Sequence, residues 1–336
     1  MDGKNFLFEA ELELGHRFPL HNVFSPIRMY IHNDRLILYQ SNTSNYSPDI
    51  FFASYLLSDD SYQGIFGVKG RGYGEWIFPI FIQSTNNTPY LYLTDMSMRQ
   101  TTAVIHKMIL DSITQLKAIS SYIVDKEGYN SMNNMVINKD SLLVYDEFAS
   151  APVLKVHHLG RNEPVKSWKY GAFEGNYNSA EYIAQIQFDE NRGVHVANDS
   201  CIVFLYRYQD RIDIMDWNFK LKKRLNYQKN KPVIHKSDPM DNVVYYSNAF
   251  LGERFLYAFY HGMSFKEHLT ASGQRMDVFD LNGTPVCSYT FCWPAPVIFT
   301  VDERTFTLYG YRGDSGLEDS ISIYHLPQLR EYLKHP

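Results

Sequence analysis

The side chains able to do chemistry are few and scattered. Glu75, Asn178, Glu181 and Asp241 stand in or beside segments that join strand-rich stretches. Carboxylate and amide oxygens are what a hard cation such as Ca2+ takes as ligands. Gathered around one opening, these four would hold an ion for metal-assisted hydrolysis or lyase chemistry. Arg71, His16, His235, Trp293 and Arg312 occupy similar loops. An aromatic surface beside cationic and hydrogen-bonding groups can instead hold a carboxylate, a peptide or a sugar. Nucleophilic catalysis finds no foothold, because no G-x-S-x-G elbow occurs, and no catalytic residue is assigned. His157 and His158 are adjacent, and in a strand neighbours point to opposite faces, so they do not serve one site and read as solvated. Cys201, Cys287 and Cys292 form neither CxxC nor a cysteine–histidine cluster. They read as three buried thiols in strands rather than as metal ligands or a disulfide framework.

The chain that must position these groups has 336 residues, with 26 Tyr, 22 Phe and 4 Trp, but only 19 Gly and 14 Pro. It is too aromatic for disorder and can bury a large core. Thirty-two Lys and Arg against 37 Asp and Glu leave a net charge of −5, which argues against a nucleic-acid partner. The longest apolar candidate, 288–301, is broken by Pro294 and Pro296, so no transmembrane segment is expected. Met1-Asp2-Gly3-Lys4 runs directly into strand-like sequence with no charged head and apolar leader. A cytoplasmic protein is the expectation from the chain as written; the alternative is an exported lipoprotein with its leader removed.

One unit recurs along the chain: an alternating strand, a tight polar turn, and a second alternating strand. Arg28–Tyr39, Asn134–Tyr145 and Val297–Tyr309 are its clearest copies, and Phe81–Thr94, Ile186–Ala197 and Asn248–Phe259 are looser ones. Their ends are spaced by 50 to 62 residues. Two more strand-like runs follow each copy, as in Arg275–Leu281 and Pro285–Phe291 around the hairpin signal Asn282-Gly283. Alternation of period two, carried by β-branched and aromatic residues, excludes a helical repeat. Only Met108–Ser121 and the terminal Pro327–Lys334 leave a helix open. Four antiparallel strands in about 50 residues make one propeller blade. The expected fold is therefore all-β: a single-domain six-bladed β-propeller spanning 1–336. Its blades fall near 26–75, 76–125, 126–178, 179–232, 233–293 and 294–336. The last blade lacks a strand, and the orphan at 5–14 is expected to pair with it, closing the ring and removing two exposed sheet edges.

In such a blade the first-to-second and third-to-fourth turns share one face. The second-to-third loops and the crossings share the other. Here the former are short and the latter long, as in His261–Gly273 and Gly310–Asp319, so binding is expected on the long-loop face and at the channel mouth. The basic stretch Lys220–Lys231 reads as an outer strand with a wet face rather than an anion site. The most specific crossing is Gly67-Val-Lys-Gly-Arg-Gly-Tyr-Gly-Glu-Trp76, whose glycines permit positive φ or close backbone approach. With the six repeats and the amino-terminal strand, it resembles the TolB-like six-bladed propellers of Bacteroidales bacteria, with Tyr73 where that group usually has proline. The resemblance implies no catalytic set, and many such proteins are exported lipoproteins.

These readings converge on a monomeric, non-enzymatic binding or scaffold propeller that recognises a protein, peptide or glycan. Its candidate ligand-binding residues are Arg71, Glu75, Asn178, Glu181, His235, Trp293 and Arg312. No cofactor is expected, Ca2+ at the channel mouth being the exception that the hydrolase or lyase alternative would require.

Overall fold

A computed structural model describes residues 4–21, 26–40, 50–70, 75–77, 79–85, 90–95, 102–110, 116–125, 136–146, 153–161, 164–169, 192–228, 230, 233–235, 237–268, 273–313 and 319–334. Arg71, Asn178 and Glu181 lie outside these residues. The described chain is predominantly β-strand in a propeller-like arrangement. It opens with β1 (Phe8–Leu12) and β2 (His16–Pro19). A four-stranded meander follows, built of β3 (Pro26–His32), β4 (Arg35–Gln40), β5 (Ile50–Leu56) and β6 (Tyr62–Val68). Next come β7 (Pro79–Ser84), β8 (Tyr90–Asp95), β9 (Thr102–Leu110) and β10 (Leu116–Asp125), then β11 (Val136–Asn138), β12 (Ser141–Asp146), β13 (Val153–His158) and β14 (Pro164–Lys169). These last eight form one continuous sheet, because β11 pairs in parallel with β7. A second separate meander holds β15 (Gly193–Ala197), β16 (Ile202–Tyr206), β17 (Arg211–Met215) and β18 (Leu221–Asn226). A third holds β19 (Val243–Leu251), β20 (Phe255–Ser264), β21 (Arg275–Asp280) and β22 (Pro285–Phe291). The chain ends with β23 (Ile298–Asp302), β24 (Thr307–Tyr311), β25 (Ser320–His325) and the helix Pro327–Lys334. Four of the expected six blades thus stand as separate sheets, and β7–β14 form the eight-stranded fifth sheet.

Consecutive meanders pack face to face, and inner strands such as β4, β16 and β24 are buried on both faces. Tyr39, Phe52 and Phe66 pack on Trp76, Phe81 and Leu93. Leu12, Phe259 and Phe291 pack on Phe299 and Leu308. The last sheet returns to the first, with Phe18, Tyr309 and Ile321 against Met29, Leu36 and Tyr55. The stretch Met108–Ser121, left open to helix by its spacing, is strand over its described residues, paired in the β9–β10 ladder. Basic β18 is an outer strand, as expected: Leu221 to Arg224 are exposed and only Leu225 turns inward.

The amino terminus closes the molecule, but not with the strand expected. β1 lies parallel to β22, as a fifth strand on the β19–β22 sheet. It is β2 that pairs antiparallel with β25 and completes the last sheet. Alternation at Phe8, Ala10 and Leu12 marks a strand with one apolar face but says nothing about its partner. The closing strand has four residues with only Phe18 buried, too few for a periodic signal. Gly15 joins the two, its N–H bonded to the Ile323 carbonyl at 2.9 Å. Two further expectations are corrected by packing. Cys292 is exposed, following β22, whereas Cys201 and Cys287 are buried and all three are free. His157 is buried, at 2% exposure, while His158 faces solvent.

The glycine-rich crossing is a structural device over its described residues. Trp76 donates its N–H to the Val68 carbonyl, and its own carbonyl accepts from the Gly70 N–H, both at 2.9 Å. This pins the indole into the core. Gly67 bends the chain at φ 75°, and a Cβ there would meet Phe52 ring carbons at 2.5 and 2.9 Å. Gly67→Ala is therefore expected to lower folding stability by about 1–3 kcal/mol, combining backbone strain with a displaced core ring. Urea denaturation checks this, and an unchanged midpoint would contradict it.

Candidate functional site

Two cavities lie at opposite ends of the blades. The first, about 280 Å3, is lined by inner-strand residues of β3, β7, β15, β19 and β23 where those strands run into their turns. Those short turns are tied to one another. Asn198 Nδ2 donates to the Gly252 carbonyl at 2.7 Å, and Asn138 Nδ2 to the Asp199 carbonyl at 3.3 Å. Glu303 accepts from the backbone N–H groups of Arg254 (2.9 Å) and Phe255 (3.0 Å) and from the Tyr257 hydroxyl (3.2 Å). Such a carboxylate acts as a clasp between neighbouring sheets, and every donor it meets is part of the frame.

Burial raises the Glu303 pKa above its ordinary 4.5, against the pull of those N–H groups. A raised carboxyl favours the protonated native state. The stability it contributes is full below 4.5 and is lost as pH rises through the raised value. Glu303→Gln is expected to abolish that pH-dependent component. It should also cost about 1–3 kcal/mol, because an amide NH2 cannot accept from the second backbone N–H. Urea midpoints of both proteins across this range test the point; parallel pH profiles would refute it.

The second cavity, about 300 Å3, opens on the long-loop face. Arg207 reaches it from the turn after β16, and Val244, Ser247 and Asn248 from β19. Phe259, His261, Met263 and Ser264 come from β20, with Phe265 starting the short helix Phe265–His268. Gln274, Ala295, Pro296, Val297 and Arg312 complete the lining. Local irregularity builds the centre. In the β19–β20 ladder Val244 pairs with Met263, Tyr246 with Tyr260, and Asn248 with Phe259. Ser247 is therefore an extra residue on β19, while His261 and Gly262 stand against Tyr245 alone. Gly262 takes φ 65°. Bulges of this kind re-aim side chains. Here they bring the His261 Nε2 and Ser247 Oγ atoms to 2.6 Å.

The walls are held by hydrogen bonds. Arg312 donates to the Ala295 carbonyl at 2.8 Å, Asn248 Nδ2 donates to the Val297 carbonyl at 3.0 Å, and Gln274 Oε1 accepts from the Ala295 N–H at 3.0 Å. Among the described residues the lining holds two guanidiniums and one imidazole and no carboxylate. Glu267, the nearby acid in the short helix, accepts from the Ser264 N–H and hydroxyl at 2.8 and 2.9 Å. A cationic pocket with aromatic and aliphatic walls suits an anionic group on an apolar body.

Of the seven candidate ligand-binding residues, Arg312 lines this pocket. Trp293 stands two residues before Ala295 in the same crossing, 54% exposed. His235 is exposed, its backbone clasped by the Asn242 side chain through bonds of 2.6 and 3.0 Å. Glu75 and Asp241 are exposed in other crossings and do not line the pocket. Among the described residues no group of three or more His, Cys, Asp or Glu could hold a metal ion. Arg207, Ser247 and His261 went unselected because no spacing links them; only the ladder irregularity and the sheet-to-sheet approach do. The one available signal was His261 at the head of a long second-to-third loop.

This chain is, by architecture, a propeller-like all-β protein. No protein-family model matches it, and no curated protein matches it. Among solved structures it is similar to a member of the DUF4221 family from Bacteroides vulgatus, with TM-score 0.61, 12% identity, and coverage of 94% of this chain and 97% of that one. It is also similar to a protein from Bacteroides fragilis described as a candidate exported protein, with TM-score 0.55, 14% identity, and coverage of 94% and 98%. These likenesses concern the fold.

Proposed function

We propose that the chain is a six-bladed, TolB-like propeller acting as a monomeric, non-enzymatic binding or scaffold protein, with its ligand taken on the long-loop face. Six hydrophobic clusters, each between consecutive four-strand units, favour that blade count when β7–β10 and β11–β14 are taken as two blades joined at their inner edges. The observation that carries the binding reading is the hydrogen-bonded cationic pocket around Ser247, His261, Arg207 and Arg312. Pre-set walls reduce the ordering entropy a ligand would otherwise oppose. The reading needs no cofactor. It covers protein, peptide and glycan ligands. The location is cytoplasmic or exported, and the exported alternative draws support from the description of the Bacteroides fragilis neighbour.

Labelled protein applied to peptide and glycan arrays tests the reading. Charge reversal at both guanidiniums (Arg207→Glu with Arg312→Glu) is expected to abolish capture. Thermal stability should shift little, by about 1 kcal/mol for the lost Arg312 bond. Capture that persists in this double variant would move the binding face elsewhere.

A further inference from the structure

The same pocket points to a ligand class, and this step rests on the reading of the long-loop face as the binding face. We propose that the pocket receives the C-terminal carboxylate of a polypeptide whose last residues are apolar, with Arg207 and Arg312 taking the charge. Arginine is suited to this because its planar fork matches carboxylate geometry. Arg312 is oriented by its bond to the Ala295 carbonyl, and Arg207 lies over the Phe265 ring at 5.9 Å. Both groups are therefore held in the pocket wall and not left to sweep through solvent. His261, braced on Ser247, adds a polar contact.

Size and surroundings select the source of the carboxylate. At about 300 Å3 the cavity is at the small end for a ligand pocket and suits a terminal side chain with its carboxyl group. Phe259, Met263 and Val244 form the apolar part of its wall. Further apolar side chains are exposed outside it. Among the described residues, twelve large hydrophobic side chains are exposed, and five of them belong to or border the two crossings that flank the β19–β22 sheet. They are Val233 (71%), Met240 (43%), Val243 (37%), Trp293 (54%) and Val297 (56%). A free small acid would use the pocket and leave these side chains bare, whereas a polypeptide end fills the pocket with its last residue and sets the preceding ones against them.

The test uses the full-length protein and fluorescence polarisation. The probe is a pool of amino-terminally labelled pentapeptides ending in Leu, Val or Phe, made with either free carboxyl or carboxamide ends, with hexanoate as competitor. The free-carboxyl pool is expected to bind, and amidation to weaken it by about tenfold or more, as for loss of a charge-assisted pair. Arg207→Gln should weaken the free-carboxyl pool similarly while leaving the melting curve in place. Arg312→Gln, which keeps a donor for Ala295, provides a second variant. Equal binding of both pools, lost in the Gln variants, overturns the carboxylate proposal but leaves the face intact as a binding surface. Binding indifferent to both variants overturns the face as well. Failure of the free-carboxyl pool to bind, or displacement by hexanoate as effective as by unlabelled peptide, rejects a polypeptide terminus as the occupant.

Discussion

Lys4→Ala is expected to destabilise the protein by about 3 kcal/mol, at the lower end of the range for stranding buried charges. The Lys4 ammonium is 6% exposed and lies 2.8 Å from Asp210 and 3.3 Å from Asp277, which belong to neighbouring sheets. It also sits 3.3 Å from the centre of the Tyr260 ring. The two carboxylates have further partners: Asp210 accepts from the Tyr246 and Tyr260 hydroxyls, and Asp277 is paired with Arg275 at 2.8 Å. Because Arg275 remains, the loss falls mainly on Asp210, which is why the lower end applies. Urea denaturation at neutral pH measures it. Lys4→Ala combined with Asp210→Asn should recover part of the loss, since no unpaired charge then stays beside the tyrosines. Burial lowers the Lys4 pKa below 10.5, with Asp277 and Asp210 opposing the change. Between that lowered value and 10.5 the native state binds fewer protons than the unfolded chain, so this side chain's contribution to stability rises with pH. A wild-type midpoint matched by Lys4→Ala would show that the Lys4 ion pairs add nothing to stability.

Phe18→Ala is expected to be at least as costly, about 3–5 kcal/mol, as for a buried aromatic whose cavity cannot collapse. Phe18 is the single buried residue of β2 and packs at a tilt against Tyr55 of the first sheet, with ring centroids 5.0 Å apart. It therefore holds the β2–β25 pairing and the contact from last sheet to first. Phe8 provides the comparison. It lies on β1, only partly buried against the β19–β22 sheet. Phe8→Ala should cost about 1–2 kcal/mol, in proportion to the smaller area removed from water. The reverse order of effects would show that β1, and not β2, closes the molecule.

Much of the architecture was legible in the residues. Alternation located most of the described strands, and Lys220–Lys231 announced an outer strand. The copy Ile186–Ala197 was misplaced, because Gly193–Ala197 is the first strand of a hairpin with Ile202–Tyr206 and not the second of its own. The turn at Asn282-Gly283 forms with Gly283 at φ 74°, in line with its sequence signal. The site was barely legible. Arg312 could be selected because it stands in a long loop, but Arg207 follows a strand whose next strand begins four residues later. Ser247 lies inside an alternating run and looks like an ordinary strand residue.

Period-two hydrophobicity is a local property of the chain, and it was enough to indicate an all-β repeat protein and most of the described strand positions. Partner choice is different, because any strand with one apolar face can satisfy its backbone at any open edge. The parallel seat of β1, the merging of β7 with β11 and the bulges that turn His261 toward Ser247 were therefore decided by tertiary packing. Long-range approach of whole sheets sets those contacts, and no short stretch of residues encodes it.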